Sequence, residues 1–230
     1  FAQCPRRFLL SQFVGDTEER RFVGAAAVLH QALRAAIVEF YRAGDGAPRA
    51  ADRLRALFAE HFRGELCADA VEQAQTERRG VGMLEQFAQT WVCEHAFASD
   101  TDVRMEFEID DQAFAASADL VFAEDAGVLA VRLTSRRQAP SGSELASQAG
   151  AQLLALAAAE RLGPGPVSAA YYSLSARRMT PVELSPAQIE HARRDVVSRA
   201  TRMRREACFE PRAGKHCRWC PVRGRCGVWQ

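Results

Sequence analysis

The order of hydrophobic periods along the chain predicts an α/β fold in one mixed sheet flanked by helices, and three observations carry that reading. Apolar residues recur three and four apart through most of the first hundred residues, which is the helical period. At Val103 the period drops to two, with Val103, Met105, Phe107 and Ile109 alternating against Arg104, Glu106, Glu108 and Asp110. After residue 128 two strand-like runs flank an Ala/Leu-rich run, the pattern of a strand–helix–strand crossover that closes a sheet.

Residues 1–13 are short and mixed, with a Cys4-Pro5 turn. From about Glu18 to Tyr41, Phe22, Ala25, Val28, Leu29, Leu33, Ala36, Ile37 and Phe40 form one apolar stripe with His30 beside it. The Gly44–Pro48 segment stops that helix. A second helix over 50–63 carries Leu54, Leu57, Phe58 and Phe62, and a third over 70–97 carries Val81, Met83, Leu84, Phe87, Trp91 and Val92. Strands are expected over 103–109, 114–122 and 128–133, with turns at Asp110-Asp111 and at Glu124–Gly127. A long helix from Glu144 to Leu162 ends at Gly163-Pro-Gly-Pro166, and a fourth strand spans 167–174. Ser185-Pro186-Ala-Gln188 supplies an N-cap and a proline at the first helical position, opening a helix to about Cys208. No internal repeat or low-complexity tract interrupts this order. One domain over 1–230 is expected: a mainly helical part over 1–100, an α/β core over 101–208 and a cysteine tail over 209–230. A chain that opens on Phe is expected to be excised from a larger protein.

Composition narrows the classes. At 230 residues with 48% hydrophobic and 26% charged content, the chain can bury a core and is not a disordered segment. No run approaches the length of a membrane span and no signal-peptide pattern is present, so a cytoplasmic location is expected. The net charge is only +1, yet residues 193–226 concentrate arginine, an asymmetry that hints at phosphate contact. Lys215 is the only lysine, and no phosphate-cradling Gly-x-x-x-x-Gly-Lys occurs.

Seven cysteines is an odd number, and C-x2-C spacing favours reduced thiols and a metal site over a disulfide framework. Cys217, Cys220 and Cys226 stand close together at one end of the chain and Cys4 at the other. Four thiolates suit either a tetrahedral zinc or a 4Fe–4S cluster, and spacing alone does not separate the two. Shared by one site, they would clamp the two ends of the chain together. His216 adjoins Cys217 and is expected at the surface. Cys67, Cys93 and Cys208 fall in or beside helical patterns and are expected in the core.

A Cys4-Pro-Arg-Arg-Phe8 opening, a helix carrying Gly24 and His30, and a closing Cys217-Arg-Trp-Cys220-Pro-Val-Arg-Gly-Arg-Cys226 resemble RecB/AddB-type nucleases of the PD-(D/E)XK superfamily. The resemblance runs in order through the whole chain and implies a restriction-endonuclease-like core. It also implies that Cys4, Cys217, Cys220 and Cys226 hold a 4Fe–4S cluster, with zinc as the alternative.

Members of that family place a helix His, a strand Asp, a (D/E)-x-K pair and a Gln-x-x-x-Tyr in sequence around a divalent metal. His30, Asp119 and Gln152 match three of these positions, with Asp119 expected at the end of the second strand. The third pattern fails, because Leu129-Ala-Val-Arg-Leu-Thr134 puts Val131 at the metal-binding acid and Leu133 at the lysine, and residues 126–137 hold no Asp, Glu or Lys. Leu156 stands where the tyrosine would be. Apolar side chains cannot ligate Mg2+ or Mn2+, so a nuclease fold without nuclease chemistry is expected, with Asp119 a metal ligand only in an active enzyme.

The implied role is to bind or guide single-stranded DNA beside helicase or nuclease subunits of a repair or recombination complex. Arg136, Arg137, Arg218 and Arg223 would contact phosphates, and Trp219, Tyr171 and Tyr172 offer stacking faces. Two other readings stand beside this one. One is an active exonuclease whose acid has moved, for example to Glu106 or Glu108; the other is a docking module with a zinc clamp.

Overall fold

The sheet begins where the apolar period drops to two, and its first strand runs longer than the alternation alone suggests. The computed structural model describes residues 4–12, 24–44, 49–124, 127–162, 166–220, 222 and 226 and, of Ser11, Gln12, Glu124, Arg218 and Trp219, the backbone alone. Five strands, β1 (Asp100–Ile109), β2 (Gln112–Glu124), β3 (Gly127–Thr134), β4 (Val167–Ser173) and β5 (Arg178–Pro181), lie side by side in chain order. All neighbours are antiparallel except β3 and β4, which are parallel because a helical crossover joins them. Strand β5 went unread in the sequence: four residues ending in proline carry too little alternation to register.

Helices cover both faces. On one face lie α2 (Ala25–Ala43), α3 (Ala50–His61) and α4 (Ala70–Phe87). Their Leu29, Leu33, Ile37, Phe40, Leu54, Phe58, Leu84 and Phe87 meet Leu120, Phe122, Leu129, Val131 and Leu133 of the sheet. Gly44 ends α2 at a φ of 69°, a left-handed cap whose amide returns to the Tyr41 carbonyl. Residues 18–23 of the expected helix lie outside those described. The run expected as one helix to residue 97 passes instead into a π-helical turn, Ala88–Val92, and stops short.

On the other face, α5 (Gly142–Ser147), α6 (Ala149–Arg161) and α7 (Pro186–Arg205) cover Met105, Phe107, Ile109, Ala118, Val121 and Ala130. A single helix over 144–162 was expected; extended Gln148 (ψ 122°) splits it in two. Ser141 and Ser185 each form a reciprocal capping box, with Glu144 and Gln188, and so fix where α5 and α7 begin. Residues Pro5–Gln12 form a short helix, α1, where no element was expected.

Strand β2 carries an irregularity at its middle. Ala118 and Val121 of β2 face one core while Leu120 and Phe122 face the other, so the pleat shifts by one residue at Asp119. The β1–β2 ladder passes from Val103–Ala118 to Thr101–Leu120 over Asp102 and Asp119, and Asp102 has a φ of 54°. Aspartate tolerates that left-handed geometry better than most residues, which permits the shift.

Candidate functional site

Asp119 lies within β2 rather than at its end and is 1% exposed. The β2–β3 ladder stops at Leu120–Val131, and the Asp119 side chain takes the place of the next backbone partner. Its Oδ2 accepts the Leu133 amide at 2.7 Å, and its Oδ1 accepts Arg34 Nε at 2.5 Å. Arg132 Nε stands 3.8 Å from Oδ2 while its Nη1 donates to the Ser117 carbonyl at 3.0 Å. Arg34 also donates to Asp102, so one guanidinium bridges the two carboxylates that the pleat shift brings together. Burial works to lower the Arg34 pKa, but Asp119 and Asp102 outweigh it and hold it above its ordinary value.

His30 shares this neighbourhood, one turn before Arg34 on α2. Burial lowers its pKa; the Asp119 charge opposes that and Arg132 and Arg34 reinforce it, so the imidazole stays neutral. Its Nδ1 is buried without a hydrogen-bond partner. Tyr171 sits opposite Arg132 in the β3–β4 ladder. Burial raises its phenol pKa, with Arg132 and Arg136 opposing and Asp119 adding, so the ring shares the same field.

The remaining positions divide. Gln152 is buried on α6 and donates from Nε2 to the Ala146 carbonyl at 2.8 Å across the α5–α6 break, leaving Oε1 unpartnered. Val131, Leu133 and Leu156 are buried in the two apolar cores. Tyr172 is 4% exposed and packs on Phe87 and Trp91, which corrects its reading as a stacking face: a buried ring has no free side for a base. Arg136 and Arg137 line a pocket at the end of β3 with Gln138, Glu144 and Gln148. Arg223 and the side chains of Arg218 and Trp219 lie outside the described residues. Glu106 and Glu108 are exposed opposite Ala115 and Ala113, well along β1 from Asp119, and Glu106 is paired with Arg104.

This donor set does not fit a divalent cation. Mg2+ requires several oxygens, of which at least one carboxylate must be free to face the ion. Here both Asp119 oxygens already accept hydrogen bonds, two guanidinium groups stand against them, and hydrocarbon fills positions 131 and 133. The arrangement balances the buried carboxyl group of Asp119 against two guanidinium groups. It offers no unengaged second carboxylate near Asp119 among the described residues, and the neutral His30 is the one proton acceptor there, with no metal-binding oxygens beside it.

At the other end of the molecule, Cys4, Cys217, Cys220 and Cys226 line one pocket with Arg7, Arg212, His216 and Val222. The Arg212 amide lies 3.4 Å from Cys4 Sγ, and the Gly214 amide 3.4 Å from Cys217 Sγ. Burial would raise the Cys4 thiol pKa, but the amides of Arg212, Arg7 and Arg6 and the Arg212 charge bring it below its ordinary value. Amide donors and a cation around convergent thiols are the chemistry a thiolate-held centre needs. Among the described residues, however, no three His, Cys, Asp or Glu side chains are gathered closely enough to hold a metal ion. Convergence of the thiols, rather than assembled coordination, is thus what the tail displays. The other thiols correct the expectation of burial: Cys93 and Cys208 are exposed and Cys67 half-buried, because each falls on the outer side or past the end of its helix.

Sequence reasoning missed Arg34, Asp102 and Arg132. Arg34 carried a usable signal, four residues after His30 on one helix face. The pairing of Asp102 with Asp119 depends on strand register, which no local pattern announces.

None of the curated proteins matches the chain. Among solved structures, that of SSO0001 aligns over 98% of this chain and 95% of its own at 10% identity, with a TM-score of 0.32. No helix among the described residues is long and apolar enough to cross a membrane. The family model of the PD-(D/E)XK nuclease superfamily matches residues 1–227, and the mixed sheet flanked by helices agrees with it. The chain belongs to the PD-(D/E)XK nuclease superfamily.

Proposed function

We propose that this chain is a RecB-like nuclease-fold domain that binds or guides single-stranded DNA without cutting it. It would work beside helicase or nuclease subunits of a repair or recombination assembly, stapled by a 4Fe–4S cluster on Cys4, Cys217, Cys220 and Cys226. The observation that carries the loss of chemistry is the state of Asp119, whose two oxygens are occupied by Arg34 and the Leu133 amide. A guanidinium delivers positive charge to the carboxylate but no Lewis-acidic face and no bound water. The reading of the tail is supported by the four thiols on one pocket and by the motif resemblance; when bound, the cluster would close the two ends of the chain. Arg136 and Arg137, on the pocket at the end of β3, are the proposed phosphate contacts.

The test is a degradation assay on purified, cluster-intact protein with single- and double-stranded DNA in Mg2+ and in Mn2+, beside the Asp119→Ala variant. Both proteins are expected to leave DNA intact while binding single strands in a salt-sensitive way. Metal-dependent cleavage lost in Asp119→Ala would establish an active exonuclease instead. Iron and acid-labile sulfide analysis, with absorbance near 400 nm, distinguishes the cluster from zinc.

A further inference from the structure

Helix α7 carries a second charged surface, apart from the Asp119 centre. Its inward side, Ile189, Ala192, Val196 and Val197, packs into the core beneath it, and the helix lies on α6. At about 100° per residue, His191, Arg194, Ser198, Arg202 and Arg205 fall within an arc of about 80° centred opposite Val196, along about 21 Å of helix. All five are exposed.

No carboxylate of α7 lies inside that arc. Glu190 and Asp195 flank it, and Asp195 is held by Arg199 at 2.7 Å. Arg194 and Arg205 have no ion-pair partner among the described residues. A helix face that merely meets water is usually laced with alternating signs; this one has a single sign. The helix dipole accounts for a basic last turn, where Arg202, Arg204 and Arg205 sit, but its influence fades before Arg194. The cationic groups are arginines, which match phosphate oxygens with two parallel donors.

We propose that the outward face of α7 is a phosphate-binding track for the backbone of single-stranded DNA, separate from the Asp119 centre. This deepens and rests on the DNA-binding reading above. Because the contacts are to phosphates, the track would hold strands irrespective of sequence.

The experiment measures affinity for a fluorescein-labelled oligothymidine across a salt series for the wild type, Arg194→Gln/Arg205→Gln, and Arg78→Gln/Arg161→Gln. The last removes the same charge from exposed positions elsewhere. Circular dichroism and a thermal melt confirm that each variant is folded. The α7 variant is expected to bind about tenfold more weakly at 0.1 M salt, with the slope of log K against log salt reduced by about 1.4, which corresponds to two lost phosphate contacts. The control variant is expected to stay within about twofold of wild type.

Equal affinity of wild type and α7 variant, or an equal loss in both variants, overturns the track while leaving DNA binding intact. A wild type that binds no oligothymidine at low salt overturns both readings at once. Loss of polyglutamate binding in the α7 variant, with oligothymidine binding unchanged, would assign the face to an acidic protein and overturn the proposal.

Discussion

At the scale of single residues, the Asp119 centre is organised by Arg34. A carboxyl group at 1% exposure needs partners on both oxygens, and Arg34 supplies the charged donor that the Leu133 amide cannot. Removing it leaves a buried carboxyl group without its charged donor. Arg132, at 3.8 Å, remains to offset part of the loss. Arg34→Ala is therefore expected to destabilise the protein by about 2–3 kcal/mol, at or below the lower end of what breaking a buried pair costs. Urea unfolding measures this, and a cycle with Asp119→Asn isolates the coupling. A loss under about 0.5 kcal/mol in Arg34→Ala would mean that Arg132 and the amide suffice. The same residues mark the limit of what the sequence makes legible. His30, Asp119 and Gln152 could be found because each matches a motif position. Arg34 and Asp102 could not be tied to Asp119, since their sequence separations from it are set by strand register and by helix packing on the sheet.

At the scale of elements, strong periodicity proved sufficient and short elements did not. Helices α2 and α3 were legible because each presents a continuous apolar stripe, and α7 because Ser185 and Pro186 mark its start. Strand β5 and helix α1 were not, since each gains its shape from what it packs on. The split between α5 and α6 escaped because Ala and Leu run through both and Gly150 alone is too weak a signal to end a helix; the extended backbone at Gln148 divides them. Packing between α2, α3 and α4 also depends on a residue no periodicity highlights. Gly80 is buried in α4, and a Cβ placed there would lie 2.3 Å from Phe58 Cζ and 3.0 Å from Leu29 Cδ1. Both neighbours are about 1% exposed and have nowhere to go. Alanine improves helix propensity by about 1 kcal/mol, while overpacking costs about 1–3 kcal/mol. Gly80→Ala is thus expected to lower stability by about 1–2 kcal/mol in a chemical-denaturation series, whereas Gly82→Ala, with open space around it, is expected to raise it. Equal gains at both positions would show that the three helices can slide apart at little cost.

At the scale of the whole molecule, the two ends of the chain meet at one pocket, and that closure has a thermodynamic consequence independent of any chemistry on DNA. A permanent link between Cys4 and the tail closes a loop of roughly 200 residues, and cross-links of that span stabilise by up to about 5 kcal/mol through the unfolded chain. A thiolate-held centre acts the same way as long as it stays bound, with its own binding free energy added. Local packing at the pocket is thin: among the described residues, Cys4, Pro5 and Val222 are the buried apolar ones there. Cys4→Ser leaves the other three thiols in place, so the chain end alone is released. The variant is expected to lose its iron or zinc, to melt well below the wild type, and to open first at its ends. Hydrogen exchange reads this as lost protection in α1 and in residues 206–220 before the sheet strands β2 and β3. Treatment of the wild type with a strong chelator should reproduce both the lowered melting temperature and the exchange pattern. A wild type that carries no metal or sulfide when purified without oxygen, and whose melting temperature equals that of Cys4→Ser, would show that the convergent thiols are packing residues and that the ends are held by α1 and the tail alone.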